Sequence, residues 1–328
     1  MSFVFYCYFL YSIHSQVAKS EKGMASSSGE PFSAGAFIVA NGKFNSKRLD
    51  DLVSSSEDAG LMDKFFKGVL RYPLVVVHQN LPASQFKKEF NKFKKEIKKK
   101  KFDLAVVYIS THGSVVTAGE KKDQTFLCFT TTEFPEGPDA PNHVIYGSEL
   151  IASIGQLSSK RKLVILDSCN SGGIGSLKSR GSKDSLKGFQ LSRATESAAE
   201  GVVLLAACKS NQSAIAGIPG QASPFTQCIT AAFDAKRDTG DRYEIYLADF
   251  LVMLASKVEK KLGLDSALTI KADNLVHIHQ FLLGYRLRKQ SRSQPSSSSS
   301  DIIITPDKLK AGLRAHQKPG SAKRGRPS

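Results

Sequence analysis

The chain has 328 residues and a mass of 35.7 kDa; 41% of its residues are apolar and 23% are charged. This is enough for one large globular domain or two small ones, and it excludes a wholly disordered chain, a collagen and a coiled-coil rod. The 5 cysteines are odd in number and never spaced as Cys-x-x-Cys. Their pattern argues against a disulfide framework and a zinc ribbon and favours a reducing compartment.

The net charge of +16 is concentrated in two segments. Residues 286–328 contain 11 Lys or Arg against 2 Asp, and residues 86–101 contain 9 Lys against 2 Glu. The rest of the chain is close to neutral, so the total charge does not by itself indicate a nucleic-acid-binding protein.

Residues 1–33 are predicted to be an N-terminal extension, disordered or dispensable. An apolar, aromatic run extends from Phe3 to Tyr11, but no Lys or Arg precedes it and it is too short to span a bilayer. A secretory signal is the alternative interpretation, and Met24, which precedes Ala-Ser-Ser-Ser-Gly, is an alternative start of the chain.

From residue 34 onward, short apolar runs predict strands, separated by stretches of helical period. The predicted strands are 36–40, 74–77, 104–109, 163–166 and 202–206. These runs are almost wholly apolar rather than alternating, so both faces of each strand should be buried, as in a parallel sheet covered by helices.

The clearest predicted helix lies between the second and third strands. Four apolar residues recur there at the spacing of one buried helix face: Phe86, Phe90, Phe93 and Ile97. Ser84 is predicted as its N-cap, and its lysines are more consistent with a solvated face than with a site for phosphate or an anionic membrane. Further helices are predicted after Ser148 and over residues 224–235 and 246–262. Alternating strands and helices indicate a doubly wound α/β fold.

Two segments depart from this alternation of predicted strands and helices. Residues 175–199 are rich in Ser, Gly and Lys and are predicted to be an exposed, cleavable linker within a folded domain of residues 34–285. Residues 286–328 are predicted to be a disordered tail. Near its end, Lys323-Arg324-Gly325-Arg326-Pro327 resembles the AT-hook core, which binds the narrow minor groove of A·T-rich DNA. DNA contact by the tail is a hypothesis, with non-specific binding as the alternative.

Two predicted strands are followed by residues whose side chains could act in catalysis. Ser110-Thr111-His112-Gly113 follows one, and Asp167-Ser168-Cys169 follows the next. Parallel strands end at a common edge, so His112 could lie beside Cys169 and raise its thiolate fraction. The N–H groups of Gly113 and Cys169 could then donate to a developing oxyanion. The alternative is that Cys169 and His112 are ordinary core residues.

These residues give the chain a resemblance to the caspase-like cysteine peptidases, and to metacaspases more than to animal caspases, over about residues 34 to 262. The matching pieces are Phe37 to Asn41, Glu57-Asp58-Ala59, the two strand ends above, and Leu204 to Cys208. The resemblance implies a caspase-like three-layer α/β/α sandwich with a mostly parallel central sheet. It implies that His112 is the general base and acid, that Cys169 is the nucleophile, and that the amides of Gly113 and Cys169 form the oxyanion hole.

Substrate preference is predicted from charge. Animal caspases carry Gln two positions before the nucleophile, where this chain has Asp167, a carboxylate that repels acidic side chains and pairs with Lys or Arg. The likeness to metacaspases implies a substrate pocket formed by Asp58, Ser110 and Asp167. For Asp58, a residue that favours a helix start through the helix dipole is an equal alternative.

The leading hypothesis is therefore a cysteine endopeptidase that cuts proteins or peptides after Arg or Lys. The rival is a catalytically idle caspase-like scaffold that presents its basic tail to nucleic acid or a signalling partner. No cofactor and no metal are expected, with calcium as the alternative: metacaspases often bind calcium through clustered carboxylates, but Asp184 and Glu196 stand here among many lysines. We expect no membrane partner and a cytoplasmic location, with the nucleus as an alternative; the oligomeric state stays open.

Overall fold

The computed structural model describes most of the predicted folded domain. The described residues are 32–122, 124–136, 140–168, 202–207, 217–233, 237–238, 242–262, 269–272 and 281–287. Several predictions fall outside them: those on residues 1–31, on Cys169, on Cys208, on the linker 175–199 and on the tail after residue 287.

The described residues form the following strands and helices. The strands are β1 (Ala34–Ala40), β2 (Leu74–Gln79), β3 (Leu104–Ser110), β4 (Gly113–Val115), β5 (Thr125–Leu127), β6 (Ile145–Tyr146), β7 (Arg161–Asp167), β8 (Val202–Ala206), β9 (Arg237–Asp238), β10 (Arg242–Tyr246), β11 (Thr269–Ala272) and β12 (Leu282–Leu287). The helices are α1 (Ser55–Lys64), α2 (Ala83–Lys100), α3 (Gly147–Gly155), α4 (Pro224–Ala232) and α5 (Leu247–Leu262). A π-helical turn over Phe65–Val69 extends α1.

The central sheet has six strands in the order β11-β8-β7-β3-β1-β2. The five predicted strands are all present and run parallel, and β11 joins β8 antiparallel. β1, β3 and β7 lie inside the sheet with nearly every residue buried, whereas β2 is at the edge and only half-buried. The mostly parallel sheet is confirmed.

Side chains alternate between two apolar layers, one on each face of the sheet. Ile38, Tyr108 and Ile165 pack in the layer that includes α1, α4 and α5. Phe37 and Val107 pack in the opposite layer, with α2 and α3. Since both faces are covered by helices, the fold is the predicted three-layer α/β/α sandwich.

The helix boundaries correct some predictions. Ser84 is not the N-cap of α2: the cap is Pro82, whose carbonyl accepts the Phe86 N–H at 3.0 Å, because the proline ring holds an extended backbone (φ −66°, ψ 150°) directly before the helix. Phe86, Phe90, Phe93 and Ile97 are buried, which confirms the predicted face. α4 ends three residues before the predicted Ala235, and α5 begins one residue after Tyr246.

Two small antiparallel sheets were not predicted. One has the order β4-β5-β6 and contains Gly113; the other has the order β12-β10-β9. Their strands have two to six residues, too few for a clear period in the sequence. Among the described helices, none has the length and apolar character needed to cross a membrane.

The cysteines that the structure describes, Cys128 and Cys228, are buried free thiols. Burial raises the pKa of Cys128 to about 12 and also raises the pKa of Cys228. Both thiols are therefore protonated at neutral pH and unsuited to act as nucleophiles.

Candidate active site

The carboxyl ends of three parallel strands meet at one edge of the central sheet. Ala40, Ser110 and Asp167 end β1, β3 and β7 and lie in register with one another. The Thr111 N–H donates to the backbone carbonyl of Asp167 at 3.2 Å, which continues the pairing one step beyond the strands. The sequence predicts that Ser110 and Asp167 follow their strands, but in the structure they are the last residues of β3 and β7.

Alternation along β3 and β7 determines which layer these side chains face. Tyr108 and Ile165 belong to the apolar layer of α1 and α4, and Ser110 and Asp167 follow each of them by two residues. Residues two apart in a strand point to the same face. Ser110 and Asp167 are therefore directed toward the first turn of α1 and the start of α4.

Asp58, in the first turn of α1, joins them. Its side chain is 1% exposed; Oδ2 accepts the Ser110 hydroxyl at 2.9 Å and Oδ1 accepts the Ser223 backbone N–H at 2.6 Å. Both interpretations of Asp58 from the sequence agree with this position, because the residue lies at a helix start and its carboxyl group also faces the other two predicted pocket residues. The structure thus brings Asp58, Ser110 and Asp167 together.

Asp167 is held by hydroxyl groups. Its Oδ2 accepts the hydroxyl of Ser223 and, at 2.9 Å, that of Thr226, and it lies 3.5 Å from the Tyr108 hydroxyl. The Tyr108 and Thr226 hydroxyl oxygens are 2.6 Å apart. Because Thr226 donates its proton to Asp167, Tyr108 donates to Thr226, and the three groups form a chain that ends at the carboxylate.

The two carboxyl groups raise each other's cost of ionisation. Burial raises the pKa of Asp58 to about 7, with a further contribution from the charge of Asp167. Burial also raises the pKa of Asp167, although the hydroxyls of Ser223, Thr226 and Tyr108 partly oppose this effect. No described Lys or Arg forms an ion pair with either group. A cation that entered this cluster would supply the missing countercharge.

His112 follows Ser110 by two residues and is half-buried. Its Nε2 lies 2.7 Å from the backbone carbonyl oxygen of Asp50, and its ring centroid lies 4.9 Å from that of Phe44. A carbonyl oxygen only accepts, so Nε2 carries the proton and Nδ1 of the neutral ring can accept one. Burial lowers the pKa of His112, which keeps the ring neutral at pH 7 and suited to act as a base.

The backbone on both sides of His112 is fixed by β5 and the residue that follows it. The Cys128 N–H donates to the His112 carbonyl at 2.8 Å, and the Thr111 hydroxyl donates to the Cys128 carbonyl at 2.7 Å. Gly113 then begins β4 and is buried. Cys169 lies outside the described residues, so the catalytic pair and the oxyanion role of Gly113 and Cys169 stay predictions.

No group of three or more His, Cys, Asp or Glu arranged to hold a metal ion occurs within the described part of the chain. Asp184 and Glu196, the carboxylates considered for calcium, lie outside it. The expectation that the protein uses no cofactor stays a prediction.

Sequence reasoning missed several groups at this edge. The Asp50 carbonyl gives no signal, because every residue has one. Ser223 stands before Pro224, which is a recognisable N-cap pattern, but the pattern does not reveal a contact with Asp58, 165 positions away. Tyr108 and Thr226 look in the sequence like ordinary strand and helix residues.

A parallel sheet between two helical layers, with an imidazole and two carboxyl groups at its carboxyl edge, is consistent with a peptidase domain of the caspase type. The chain belongs to this family: residues 34–299 match the family model described as Caspase domain. The resemblance to caspase-like peptidases is thereby confirmed, and the chain has the fold of a caspase-family cysteine peptidase. The closer likeness to metacaspases stays a prediction.

Solved structures resemble this chain at low identity. The crystal structure of caspase-1 from Spodoptera frugiperda is 15% identical, with 81% of this chain and 91% of that chain covered and a TM-score of 0.48. The structure of pro-Sf-caspase-1 is 16% identical, with 76% and 94% covered and a TM-score of 0.51. At such identities the likeness concerns the fold alone. No curated protein matches the chain.

Proposed function

We propose that the chain is a cysteine endopeptidase that hydrolyses peptide bonds after Arg or Lys. The observation that carries the proposal is the buried cluster of Asp58, Ser110 and Asp167, which come from three elements and meet at the strand edge that also bears His112. Membership of the caspase-domain family supplies the reaction class, because the family acts on protein substrates.

The preference for a basic residue follows from the two carboxyl groups. Both have raised pKa values because they are buried without a cation from the described residues. A guanidinium or ammonium group from the substrate would favour their ionised forms and form charge-assisted hydrogen bonds with them. An acidic substrate residue would instead add a third negative charge to the cluster, which is unfavourable.

In the proposed reaction, His112 Nδ1 takes the proton from the Cys169 thiol, and the thiolate attacks the carbonyl carbon of the scissile bond. The amides of Gly113 and Cys169 donate to the oxygen that becomes negative. His112 then protonates the leaving amine as the C–N bond breaks, which leaves a thioester. His112 next takes a proton from water, the hydroxide attacks the thioester, and the proton returns to the sulfur as the acid product leaves.

Two features of the described residues support this assignment. Ser110 and Asp167 are paired at the ends of neighbouring strands, and His112 and Cys169 follow them in the sequence by two positions each. The hydrogen bond from Nε2 to the Asp50 carbonyl fixes the tautomer in which Nδ1 is the basic nitrogen.

Hydrolysis of short fluorogenic peptides that end in Arg, Lys or Asp tests the proposal. We expect turnover of the Arg and Lys peptides only, and a loss of at least about a thousandfold in the Cys169→Ala variant, since removal of a nucleophile abolishes the covalent route. No turnover by the folded parent protein would support the idle scaffold instead. Turnover of the Asp peptide alone would overturn the assignment of the pocket.

The same specificity makes the linker 175–199 a substrate for the enzyme itself. It contains five basic residues after which the chain could be cut: Lys178, Arg180, Lys183, Lys187 and Arg193. Mass spectrometry of an active preparation should find cleavage after one of them and none in the Cys169→Ala variant. A uniformly uncut chain with full activity would contradict this step.

A further inference from the structure

Ser223, the residue that precedes α4, contacts both carboxyl groups of the cluster. Its backbone N–H donates to Asp58 Oδ1 at 2.6 Å, and its hydroxyl donates to Asp167 Oδ2. We propose that Ser223 is a positioning residue for basic-residue specificity, which holds the two carboxylates so that one cation can pair with both. This inference rests on the proposed function and adds a residue that the sequence did not indicate.

The position of Ser223 is fixed by its own helix. It is the N-cap of α4: its hydroxyl oxygen accepts the Thr226 N–H at 3.1 Å, and Pro224 occupies the first helical position. α4 in turn is anchored in the core by Phe225 and Ile229, which are 3% and 0% exposed. Ser223 therefore cannot shift without moving a helix that is packed against the sheet.

The backbone N–H and the hydroxyl group of Ser223 each bind one carboxyl group of the cluster. The Ser223 backbone is extended at ψ 149°, so its N–H lies outside the helix and is free to bind Asp58. Its hydroxyl oxygen accepts from α4 and, through its proton, donates to Asp167. One residue thus couples a carboxylate on α1 with a carboxylate on β7, and neither is bonded to the other directly.

The effect of losing the hydroxyl should be partial. Without it, Asp58 keeps the Ser223 N–H, and Asp167 keeps the Thr226 hydroxyl, so both carboxylates stay in the cluster. What is lost is the link between them. We expect affinity for a basic ligand to fall about tenfold, the scale of one hydrogen bond to a charged group.

Binding of agmatine, a free guanidinium ligand, measures the affinity of the cluster for a cation without turnover. Calorimetry at pH 8 should show agmatine binding to the parent protein, about tenfold weaker binding to Ser223→Ala and Ser223→Gly, and near-parent binding to Ser223→Thr, which keeps the hydroxyl. Glycine is included because it is tolerated at an N-cap, so the Ser223→Gly variant separates the loss of the hydroxyl from damage to α4.

Ser55→Ala is the matched control. Ser55 is 1% exposed and its hydroxyl donates to the Asn41 carbonyl at 3.2 Å rather than to either carboxylate. The substitution removes a buried serine hydroxyl at the same end of the sheet, and agmatine affinity should stay within about twofold of the parent value.

Steady-state kinetics give a second measurement, one that would not change if Ser223 had a purely structural role. Citrulline has the shape of arginine without its charge. Ser223→Ala should raise KM for a peptide that ends in Arg about tenfold, with little change for the citrulline peptide, because only the charged side chain uses the paired carboxylates. An equal effect on both peptides would mean that Ser223 only stabilises the fold.

The outcomes separate the two proposals. If the folded parent protein neither binds agmatine nor prefers the Arg peptide to the citrulline peptide, the proposed basic specificity is wrong, and the role of Ser223 is rejected with it. If the parent protein does both, and Ser223→Ala and Ser223→Gly do so equally well, basic specificity stands and the role of Ser223 is rejected alone.

Discussion

Replacing Asp58 with Asn should stabilise the folded chain at neutral pH. Asp58 is 1% exposed, and its pKa is raised from 3.8 to about 7 by burial and by the charge of Asp167. Between these two pH values the folded chain keeps a proton on Asp58 that the unfolded chain has released. The stability that this group contributes is therefore complete below pH 3.8 and is lost as the pH rises through about 7.

The size of the effect follows from the same pKa values. One pH unit corresponds to about 1.4 kcal/mol, so the loss over this interval amounts to about 4 kcal/mol. The Asp58→Asn variant does not undergo this loss. Its side-chain oxygen can still accept the Ser223 N–H and its amide can donate to the Ser110 hydroxyl oxygen, so each of these groups keeps a hydrogen-bond partner. At pH 8 we expect the variant to be more stable than the parent protein by up to about 4 kcal/mol.

Urea unfolding, followed by circular dichroism from pH 4 to pH 9, measures the difference. The free energy of unfolding of the parent protein should fall between pH 4 and pH 7 more steeply than that of the variant. Asp51→Asn is the control, because Asp51 is exposed and Lys43 lowers its pKa, which gives the opposite sign and a small effect. Equal pH slopes for the parent protein and Asp58→Asn, with no gain at pH 8, would refute the reasoning.

Three further predictions concern catalysis and packing. For an Arg peptide, kcat/KM should fall on the acidic side near pH 7, because Asp58 must ionise. For a citrulline peptide it should fall only below pH 6.5, because burial lowers the pKa of His112. The same acidic pKa for both peptides would contradict this prediction. Phe37→Ala should lower the free energy of urea unfolding by about 3–5 kcal/mol, because Phe37 is 0% exposed and packs against the rings of α2; a loss under about 1 kcal/mol would contradict that packing. Lys101→Gly should raise the melting temperature slightly, by the equivalent of about 0.5–1 kcal/mol, because Lys101 has φ 51°, whereas Lys100→Gly inside α2 should lower it.

The sheet was predictable because its inner strands are buried on both faces. The apolar runs of β1, β3 and β7 identify them without any knowledge of their neighbours. The run of β2 has the same character, yet that strand lies at the edge and is half-buried, because strand order depends on connections that a local pattern does not contain. The short strands β4 to β6 depend on pairing with one another, so their sequences alone give little signal.

The site was predictable only in part, and for a similar reason. Asp58, Ser110 and Asp167 could be grouped from the resemblance to a family, and the strand register then brings the last two side by side. Ser223 and the Asp50 carbonyl contact the same edge through distant parts of the chain. Contacts of this kind follow from the packing of α4 and from the path of the loop before α1, and neither is determined by the residues near them in sequence.

The register of β7 depends on Asp167, the second carboxyl group of the cluster. A shift of one residue would turn Asp167 toward the layer of α2 and α3. The apolar residues of β7 would tolerate that shift, because Val164 and Leu166 could replace Leu163 and Ile165 as partners of the opposite layer. Asp167 would not, since the hydroxyls that bind it would be on the other face and a buried carboxyl group would lose its donors. Where the apolar pattern is ambiguous, the polar contact at the strand end favours one register, and that register is the one that directs Asp167 toward Asp58.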